Sequence, residues 1–121
     1  EKIIRMAREC AKRSNMKYKI GSVLFADDGK IYSNGYNFLY NKDLSMRLSN
    51  RYFHIAKASW SLHSESFAVI RYIKKYNHYP RNLNMFVFRG NRNGESRLAK
   101  PCQECLELIK SVGIRNVEYS K

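Results

Sequence analysis

Two short motifs, each at the start of a predicted helix, constrain the fold of this chain more than any other feature of its sequence. Residues 63–65 read HSE, and residues 101–105 read PCQEC. Apolar residues recur at helical spacing after each motif, which places His63, Cys102 and Cys105 at helix N-termini. If the motifs form one site, the fold must bring these two helix starts side by side.

Helices and strands alternate along the predicted chain. Residues 2–14 carry apolar side chains at helical spacing with basic side chains on the other face, and residues 20–36 predict a β-hairpin around an Asp-Gly turn. Later segments predict a helix from near His63, a strand at NLNMFVFRG, a helix at CQECLELIKSVG that ends at Gly113, and a strand at IRNVEYS. This order, α-β-β-α-β-α-β, predicts a three-layer α/β/α sandwich around a mixed sheet of about four to five strands, with right-handed crossovers between the later strands.

The composition suits one compact domain over residues 1–121. Hydrophobic residues make up 44% of the chain, which is enough for one core at this length. No run approaches roughly 18 apolar residues and the first residues lack a signal h-region, so we expect a soluble, intracellular protein with no membrane partner. Three cysteines, two of them in one C-x-x-C, are not a disulfide framework. Cys10 lies among helix-forming residues and is expected to be buried and structural.

The charge of the chain favours a polyanionic partner. Lysine and arginine number 23 against 10 acidic residues, which gives a formal charge of +13 and a pI near 9.9. Such an excess attracts nucleic acid and speeds its encounter with the protein. The basic residues are spread along the chain, so a folded basic face is expected instead of a disordered arm. The alternative is a basic surface that serves solubility alone.

The two motifs together predict a catalytic zinc site. Zinc favours thiolate and imidazole ligands, and a catalytic site needs three protein ligands plus an open position for water; His63, Cys102 and Cys105 supply that set. Glu65 would lie near the metal without binding it, where it can take a proton from the activated water and return it to the leaving group. The alternatives for PCQEC are a structural zinc knuckle, which needs a fourth ligand, and a redox pair, which does not need the upstream H-x-E.

The H-x-E and P-C-x-x-C motifs resemble the signature of the zinc-dependent cytidine and deoxycytidylate deaminase superfamily. The resemblance continues through the leading helix, the IGSVLF strand and SNGYN, is similar to deoxycytidylate and tRNA-adenosine deaminase domains, and covers nearly the whole chain. It implies a cytidine deaminase-like catalytic domain in which water replaces an exocyclic amine, with Glu65 as the proton shuttle. It also implies that Asn37 contacts the sugar or base and that the backbone N–H of Ser64, where the family usually has alanine, holds the ring carbonyl.

A long segment before the histidine, residues 38–62, shows no clean period and is a candidate substrate-facing insertion. Its aromatic residues alternate with cations such as Arg47 and Arg51, a pattern typical of a single-strand channel, although packing would also account for the rings. We expect Tyr36, Arg47 and Arg51 to contact substrate. On the other side of the site, the arginines that border the cysteine motif either bind phosphate or stay solvated; they are Arg89, Arg92 and Arg97.

These observations favour a zinc-dependent hydrolytic deaminase that converts cytosine to uracil in single-stranded DNA or RNA. Three alternatives stay open: a free-nucleotide deoxycytidylate or cytidine deaminase, an adenosine deaminase that acts on nucleic acid, and a non-catalytic nucleic-acid-binding zinc module. The motifs fit a cytosine nucleotide as substrate equally well, but a free nucleotide leaves the overall charge unexplained. The presence of Glu65 argues against the binding module, which has no use for it.

Overall fold

The computed structural model describes residues 1–39, 61–91 and 93–121. The predicted order of helices and strands is confirmed, and three strands of two residues each are added to it. The elements are α1 (Lys2–Lys12), β1 (Lys19–Phe25), β2 (Ile31–Tyr36), β3 (Phe38–Leu39), β4 (Ser61–Leu62), α2 (Ser64–Tyr76), β5 (Asn84–Gly90), β6 (Ser96–Arg97), α3 (Gln103–Ser111) and β7 (Asn116–Tyr119). In these ranges, the helices are all too short or too polar to cross a bilayer.

The main sheet has five strands and is mixed, as predicted. Strand β1 lies between β2 and β5 and is antiparallel to both. The other edge of β5 is shared: β7 pairs in parallel with its first half, and β6 pairs antiparallel with Arg89 and Gly90 at its end. Strands β3 and β4 form a separate two-stranded sheet in which Phe38 pairs with Leu62. The two ends of the predicted insertion therefore lie next to each other.

Helices cover both faces of the sheet, which confirms the three-layer sandwich. Val23 of β1 and Phe86 and Phe88 of β5 pack on α1, in a cluster with Ile3, Ala7 and Ala11. The intervening residues point the other way: Leu24 and Met85, which are partners in the β1–β5 register, pack with residues of α2 and α3. Successive residues of β1 and β5 point to opposite faces, and both faces are buried under helices. The sequences of these strands are therefore continuous hydrophobic runs.

Two glycines let the helices approach the sheet closely. A Cβ atom added at Gly21 would lie 2.2 Å from the carbonyl oxygen of Ala7 in α1. A Cβ atom added at Gly35 would lie 2.6 Å from the carbonyl oxygen of Ser64 and 2.5 Å from the nitrogen of Ala68, both in α2. Real Cβ atoms do not reach such distances, so glycine is required at both positions. The first turn of α2 is therefore seated directly on the sheet.

Candidate metal centre

The two motifs meet at the N-termini of α2 and α3. His63 is the N-cap residue of α2 and Cys102 is the N-cap residue of α3; both have extended backbone, and neither side chain caps its own helix. Helix N-caps are usually filled by residues whose side chains bond the helix N–H groups. Here the imidazole and the thiol are turned toward each other instead. The predicted juxtaposition of the two helix starts is confirmed.

Three metal-ligand side chains converge there. The Nδ1 atom of His63 is 3.0 Å from the Sγ atom of Cys105 and 3.8 Å from the Sγ atom of Cys102. The three ligand atoms all lie within 4.8 Å of one another. Donor atoms on a tetrahedral zinc ion are about 3.5–4 Å apart. The distance from His63 to Cys102 matches this spacing, the distance from His63 to Cys105 is about half an ångström shorter, and the donor types, two thiols and one imidazole, fit zinc. His63, Cys102 and Cys105 are positioned to bind that metal.

The donor set has three members in the described ranges, without a fourth histidine, cysteine, aspartate or glutamate. A closed structural zinc site usually has four protein ligands, whereas a catalytic one has three and keeps a position for water. The burial of the three side chains agrees with an open site. Cys105 is buried and Cys102 is exposed, and Cys102 and His63 line a cleft of about 250 Å³. The set therefore has one side in the protein and one side on the cleft.

The third cysteine is separate from this centre. Cys10 is buried on the inner side of α1, as predicted, against the glycine of β1. Burial raises the pKa of the Cys10 thiol, and this effect outweighs the opposing positive charges of Arg13 and Arg71. The thiol stays neutral and behaves as a small hydrophobic group.

Glu65 and Ser64 lie in the first turn of α2 and line the same cleft. Glu65 is only 5% exposed. The hydroxyl of Ser64 donates a hydrogen bond to Oε1 of Glu65 at 2.8 Å, and the hydroxyl oxygens of Ser64 and Ser22 are 2.7 Å apart. Sequence reasoning missed Ser22. The sequence feature that could have identified Ser22 is its place as a polar residue inside the otherwise apolar IGSVLF strand.

Asn37 lines the cleft, whereas the ring of Tyr36 packs elsewhere. The Oδ1 atom of Asn37 accepts a hydrogen bond from the backbone N–H of Ile20, and its Nδ2 atom donates to the carbonyl oxygen of Tyr18. These bonds tie the start of β1 to the end of β2 and leave an acceptor lone pair on Oδ1. The Tyr36 ring packs 5.2 Å from that of Phe67, centroid to centroid, on the side of α2. Its predicted contact with substrate stays a prediction.

Arg47 and Arg51, the predicted phosphate contacts in the insertion, lie outside the described residues, as does Arg92. Of the other two arginines that border the cysteine motif, Arg89 lines the cleft. The guanidinium of Arg97 donates to the carbonyl oxygen of Ser96 on the exposed strand β6.

The mouth of the cleft contains residues that sequence reasoning did not single out. Tyr18 and Leu98 are 54% and 57% exposed, and both line the cleft. The guanidinium carbon of Arg89 lies 4.4 Å from the centre of the Tyr18 ring, and Nζ of Lys17 lies 5.5 Å from it. Lys100 completes a basic rim. The sequence gives only a weak indication that these residues lie together, because they come from three separate loops and strands.

The sequence matches, over residues 1–121, the family model of the cytidine and deoxycytidylate deaminase zinc-binding region. No curated protein sequence matches this chain.

Solved structures of deaminases are similar in fold. The dCMP deaminase of cyanophage S-TIM5, in its apo form, superimposes with a TM-score of 0.66 at 20% identity, over 98% of this chain and 79% of that one. The cytidine deaminase of Burkholderia pseudomallei gives a TM-score of 0.64 at 17% identity, over 98% of this chain and 80% of that one. The cytidine deaminase of Mycobacterium tuberculosis gives 0.60 at 15% identity, over 99% and 82%. At these identities the likeness establishes the fold.

Proposed function

The chain belongs to the cytidine and deoxycytidylate deaminase family of zinc-binding hydrolytic deaminases, and from this premise we propose that it converts cytosine to uracil in single-stranded nucleic acid. The reaction adds one water to C4 of cytosine and releases the exocyclic amine as ammonia. The choice of a polynucleotide rests on one observation, which is the aromatic and cationic mouth of the cleft. The adjacent metal centre and Glu65 provide the chemistry.

The reacting groups would be arranged around the cleft as follows. His63, Cys102 and Cys105 hold the zinc ion, which when bound makes a water molecule a better nucleophile at neutral pH. Glu65 accepts a proton from the attacking water and delivers it to the amino nitrogen, so that the C–N bond breaks and ammonia leaves. Its low exposure keeps bulk water from competing for that proton.

Two residues of the cleft would hold the base. The backbone N–H of Ser64 is in the first turn of α2, where helix N–H groups have no partner within the helix, and it can donate to the ring carbonyl of cytosine. Asn37 has one remaining acceptor lone pair on Oδ1, because the backbone N–H of Ile20 occupies the other. Its two amide hydrogens are already directed at the carbonyl oxygen of Tyr18 and the sulfur of Met16. Asn37 therefore suits a hydroxyl of the sugar.

The mouth of the cleft favours a substrate with more than one base. Tyr18 and Leu98 are the exposed large hydrophobic residues of the described chain, and both lie at this one opening. Bases of single strands stack on exposed rings while nearby cations follow the phosphates, and Arg89 and Lys17 lie against the Tyr18 ring. A free nucleotide has no second base to place there. The charge of +13 agrees with such a substrate.

A free cytosine nucleotide is the second candidate, and a specific feature favours it as well. Arg89 and Lys100 both line the cleft, and two cations are sufficient to bind one phosphate group. In that case the Tyr18 ring would have no role in substrate affinity.

A competition experiment separates the two. Zinc-loaded protein is given a cytosine-containing single-stranded oligonucleotide and free deoxycytidylate together, and the products are identified by mass. We expect conversion in the oligonucleotide. Conversion of deoxycytidylate alone would overturn the polynucleotide proposal.

Variants at the mouth test the observation itself. Tyr18→Ala should weaken oligonucleotide binding about tenfold, whereas Tyr18→Phe, which keeps the ring, should bind like the parent protein. Arg89→Gln should reduce the salt dependence of binding by about one released ion, and Arg81→Gln, which removes an equal charge far from the cleft, should not. Equal effects of Arg89→Gln and Arg81→Gln would show that the cleft mouth has no special role.

A further inference from the structure

A chain of buried hydroxyl groups connects the central sheet to Glu65. Ser22 lies in β1 and Ser64 is the first residue of α2; both are 0% exposed. Their hydroxyl oxygens are 2.7 Å apart although they are 42 residues apart in the chain. The Ser64 hydroxyl is also 2.8 Å from Oε1 of Glu65. Ser22 is thus a polar residue at a core position of the strand. Among the residues that the structure describes, its side-chain hydrogen bond is the one to Ser64, which in turn bonds the Glu65 carboxylate.

The direction of these hydrogen bonds follows from counting hydrogens. A serine hydroxyl has one hydrogen to donate and can accept two hydrogen bonds. Because the Ser64 hydrogen is directed at the Glu65 carboxylate, the hydrogen between the two serines comes from Ser22. Both donations therefore run from the sheet toward the carboxylate, and each bond polarises and strengthens the next.

We propose that Ser64 is a positioning residue for Glu65 and that Ser22 fixes Ser64. This rests on the proposed role of Glu65 as the proton carrier. A glutamate side chain has three rotatable bonds, and helix geometry alone does not determine where its carboxylate points. The Ser64 hydroxyl holds one carboxylate oxygen, and Ser22 fixes that hydroxyl to β1. The orientation of the carboxylate is thereby set by a hydrogen-bonded connection to β1, a central strand of the sheet, as a well-aligned proton transfer requires.

The seating of α2 makes this arrangement possible. Gly35 of the neighbouring strand brings the first turn of α2 against the sheet, with its missing Cβ over the carbonyl oxygen of Ser64. A second hydroxyl on the same side, that of Ser33, donates to the carbonyl oxygen of Ala68 in α2 at 2.8 Å. The helix is therefore held at two levels, and Ser64 has little freedom to turn away from Ser22.

The test uses single and double alanine variants. Ser64→Ala removes the hydroxyl, introduces the residue that the family usually has at this position, and keeps the backbone N–H that is proposed to bind the base. Because the family's chemistry proceeds with alanine there, we expect a moderate loss: kcat should fall about tenfold with KM nearly unchanged, since the substrate contacts remain and only the proton transfer is misaligned. Ser22→Ala should lower kcat less, because Ser64 still donates to Glu65. In the Ser64→Ala background, Ser22→Ala should have no further effect on kcat, since Ser22 acts only through Ser64.

Ser66→Ala is the matched control. Ser66 is a buried serine in the same helical turn, directly after Glu65, and its hydroxyl makes no hydrogen bond to the Glu65 carboxylate in the described structure. We expect Ser66→Ala to keep the parent kcat. If Ser64→Ala and Ser66→Ala lowered kcat equally, the loss would reflect general packing, and the positioning role would be wrong.

Two readouts do not depend on turnover. Zinc content should stay at one ion per chain in all variants. The midpoint of thermal unfolding should be lower in Ser64→Ala than in the double variant, because the single change leaves the buried Ser22 hydroxyl without its acceptor while the double change removes both groups. Additive effects on the midpoint would contradict the hydrogen-bonded chain.

Failure of this inference can be told apart from failure of the proposed function. Turnover is measured with whichever of the oligonucleotide and deoxycytidylate the parent protein converts, so the outcome of their competition does not affect the test. A Glu65→Gln protein that kept the parent kcat would overturn the role of Glu65 and this inference with it. A Ser64→Ala protein with the parent kcat, beside an inactive Glu65→Gln protein, would overturn the positioning role alone.

Discussion

The two faces of the central sheet differ in what they bury. Most strand residues that face α1, such as Val23, Phe86 and Phe88, are apolar and pack on apolar helix residues. The polar exception is Asn84 at the start of β5, which is buried and donates a hydrogen bond to Asp27 at the far end of the sheet from the cleft. The face that is covered by α2 and α3 also has an apolar cluster around Leu24 and Met85, but its buried residues include three serines and a glutamate: Ser22, Ser33, Ser64 and Glu65.

We infer from this difference that the α1 face contributes mainly to stability, whereas the α2/α3 face also contributes to the chemistry of the cleft. An apolar face contributes roughly in proportion to the area that it removes from water, and many sequences satisfy it. Buried polar groups contribute only when each finds a partner, so a sequence retains them where their placement has a use. On the α2/α3 face, Ser22 and Ser64 are hydrogen-bonded in a chain that reaches Glu65 at the cleft, and Ser33 holds α2 on the sheet. The comparison predicts that matched substitutions on the two faces have different consequences.

The largest difference is expected between two buried cysteines. Cys105→Ala on the α3 side should abolish zinc binding and reduce turnover to background, because two ligands do not hold a catalytic zinc. Cys10→Ala on the α1 side should keep one zinc ion per chain and lower the free energy of unfolding by about 1 kcal/mol. Metal analysis and denaturant unfolding measure both. A Cys10→Ala protein without zinc would break the comparison.

The next effect concerns Glu65 itself. Glu65→Gln should lower kcat roughly 10²- to 10⁴-fold, the range attributed to a positioned general acid–base group. The zinc content and oligonucleotide affinity should not change, because the glutamine is nearly the same size and the metal ligands are untouched. Steady-state kinetics with metal analysis of the same preparation provides the measurement. Loss of zinc in this variant would mean that Glu65 supports the metal and is not limited to proton transfer.

The two close-contact glycines give a smaller effect with the same contrast. Gly21→Ala and Gly35→Ala each place a Cβ atom within 2.6 Å of helix backbone, so both should lower the free energy of unfolding by about 1–3 kcal/mol. Only Gly35→Ala shifts the first turn of α2 and should therefore lower turnover in protein that is still folded. Unfolding curves beside activity at a temperature below both transitions test this. Equal turnover in the two variants would show that the site tolerates movement of α2.

The smallest effect is expected at a carboxylate that belongs to neither face. Hydrogen bonds from Asn84, and secondly from Arg115, lower the pKa of Asp27, which is exposed in the loop after β1. Because the folded-state pKa lies below that of the unfolded chain, this contribution is present above about pH 4 and is lost as the pH falls through the folded-state pKa. Asp27→Asn should thus unfold at a slightly lower temperature than the parent at pH 7, and the difference should disappear in strong acid.

Turnover serves as the control for that variant. Asp27→Asn and Glu65→Gln are the same chemical change, and we expect only the second to affect kcat. A kcat effect of Asp27→Asn would show that the far end of β1 communicates with the cleft, which the comparison of the two faces does not predict.

The sequence predicted the elements and the metal ligands because their signals are local. Helical spacing after residue 63 placed the start of α2 correctly, and the P-C-x-x-C motif placed Cys102 and Cys105 at the start of α3. Gly113, with φ of 85°, ends the last helix segment as expected. The short strand β6 was missed because two residues have no period to detect.

Other features of the site were not visible because they depend on which elements meet. In the sequence, Tyr18 is a loop tyrosine without any distinguishing pattern. Its contact with Arg89 arises from the pairing of β1 with β5, which places the guanidinium over the ring. Ser22 reads as a weak position in an apolar strand. Its hydrogen bond to Ser64 depends on the packing of the first turn of α2 against β1, which the sequence does not show.

The sequence by itself determined the order of helices and strands, the three metal-ligand residues and the glutamate beside them, because spacing along a helix or strand decides which side chains share a local face. Only the tertiary structure decided the open cleft, the exposed Tyr18 ring at its mouth and the hydroxyl chain to Glu65. Those features arise from strand register and from helix contacts across dozens of residues. Such contacts depend on the free energy of the whole packed core, and no single segment of the sequence specifies them.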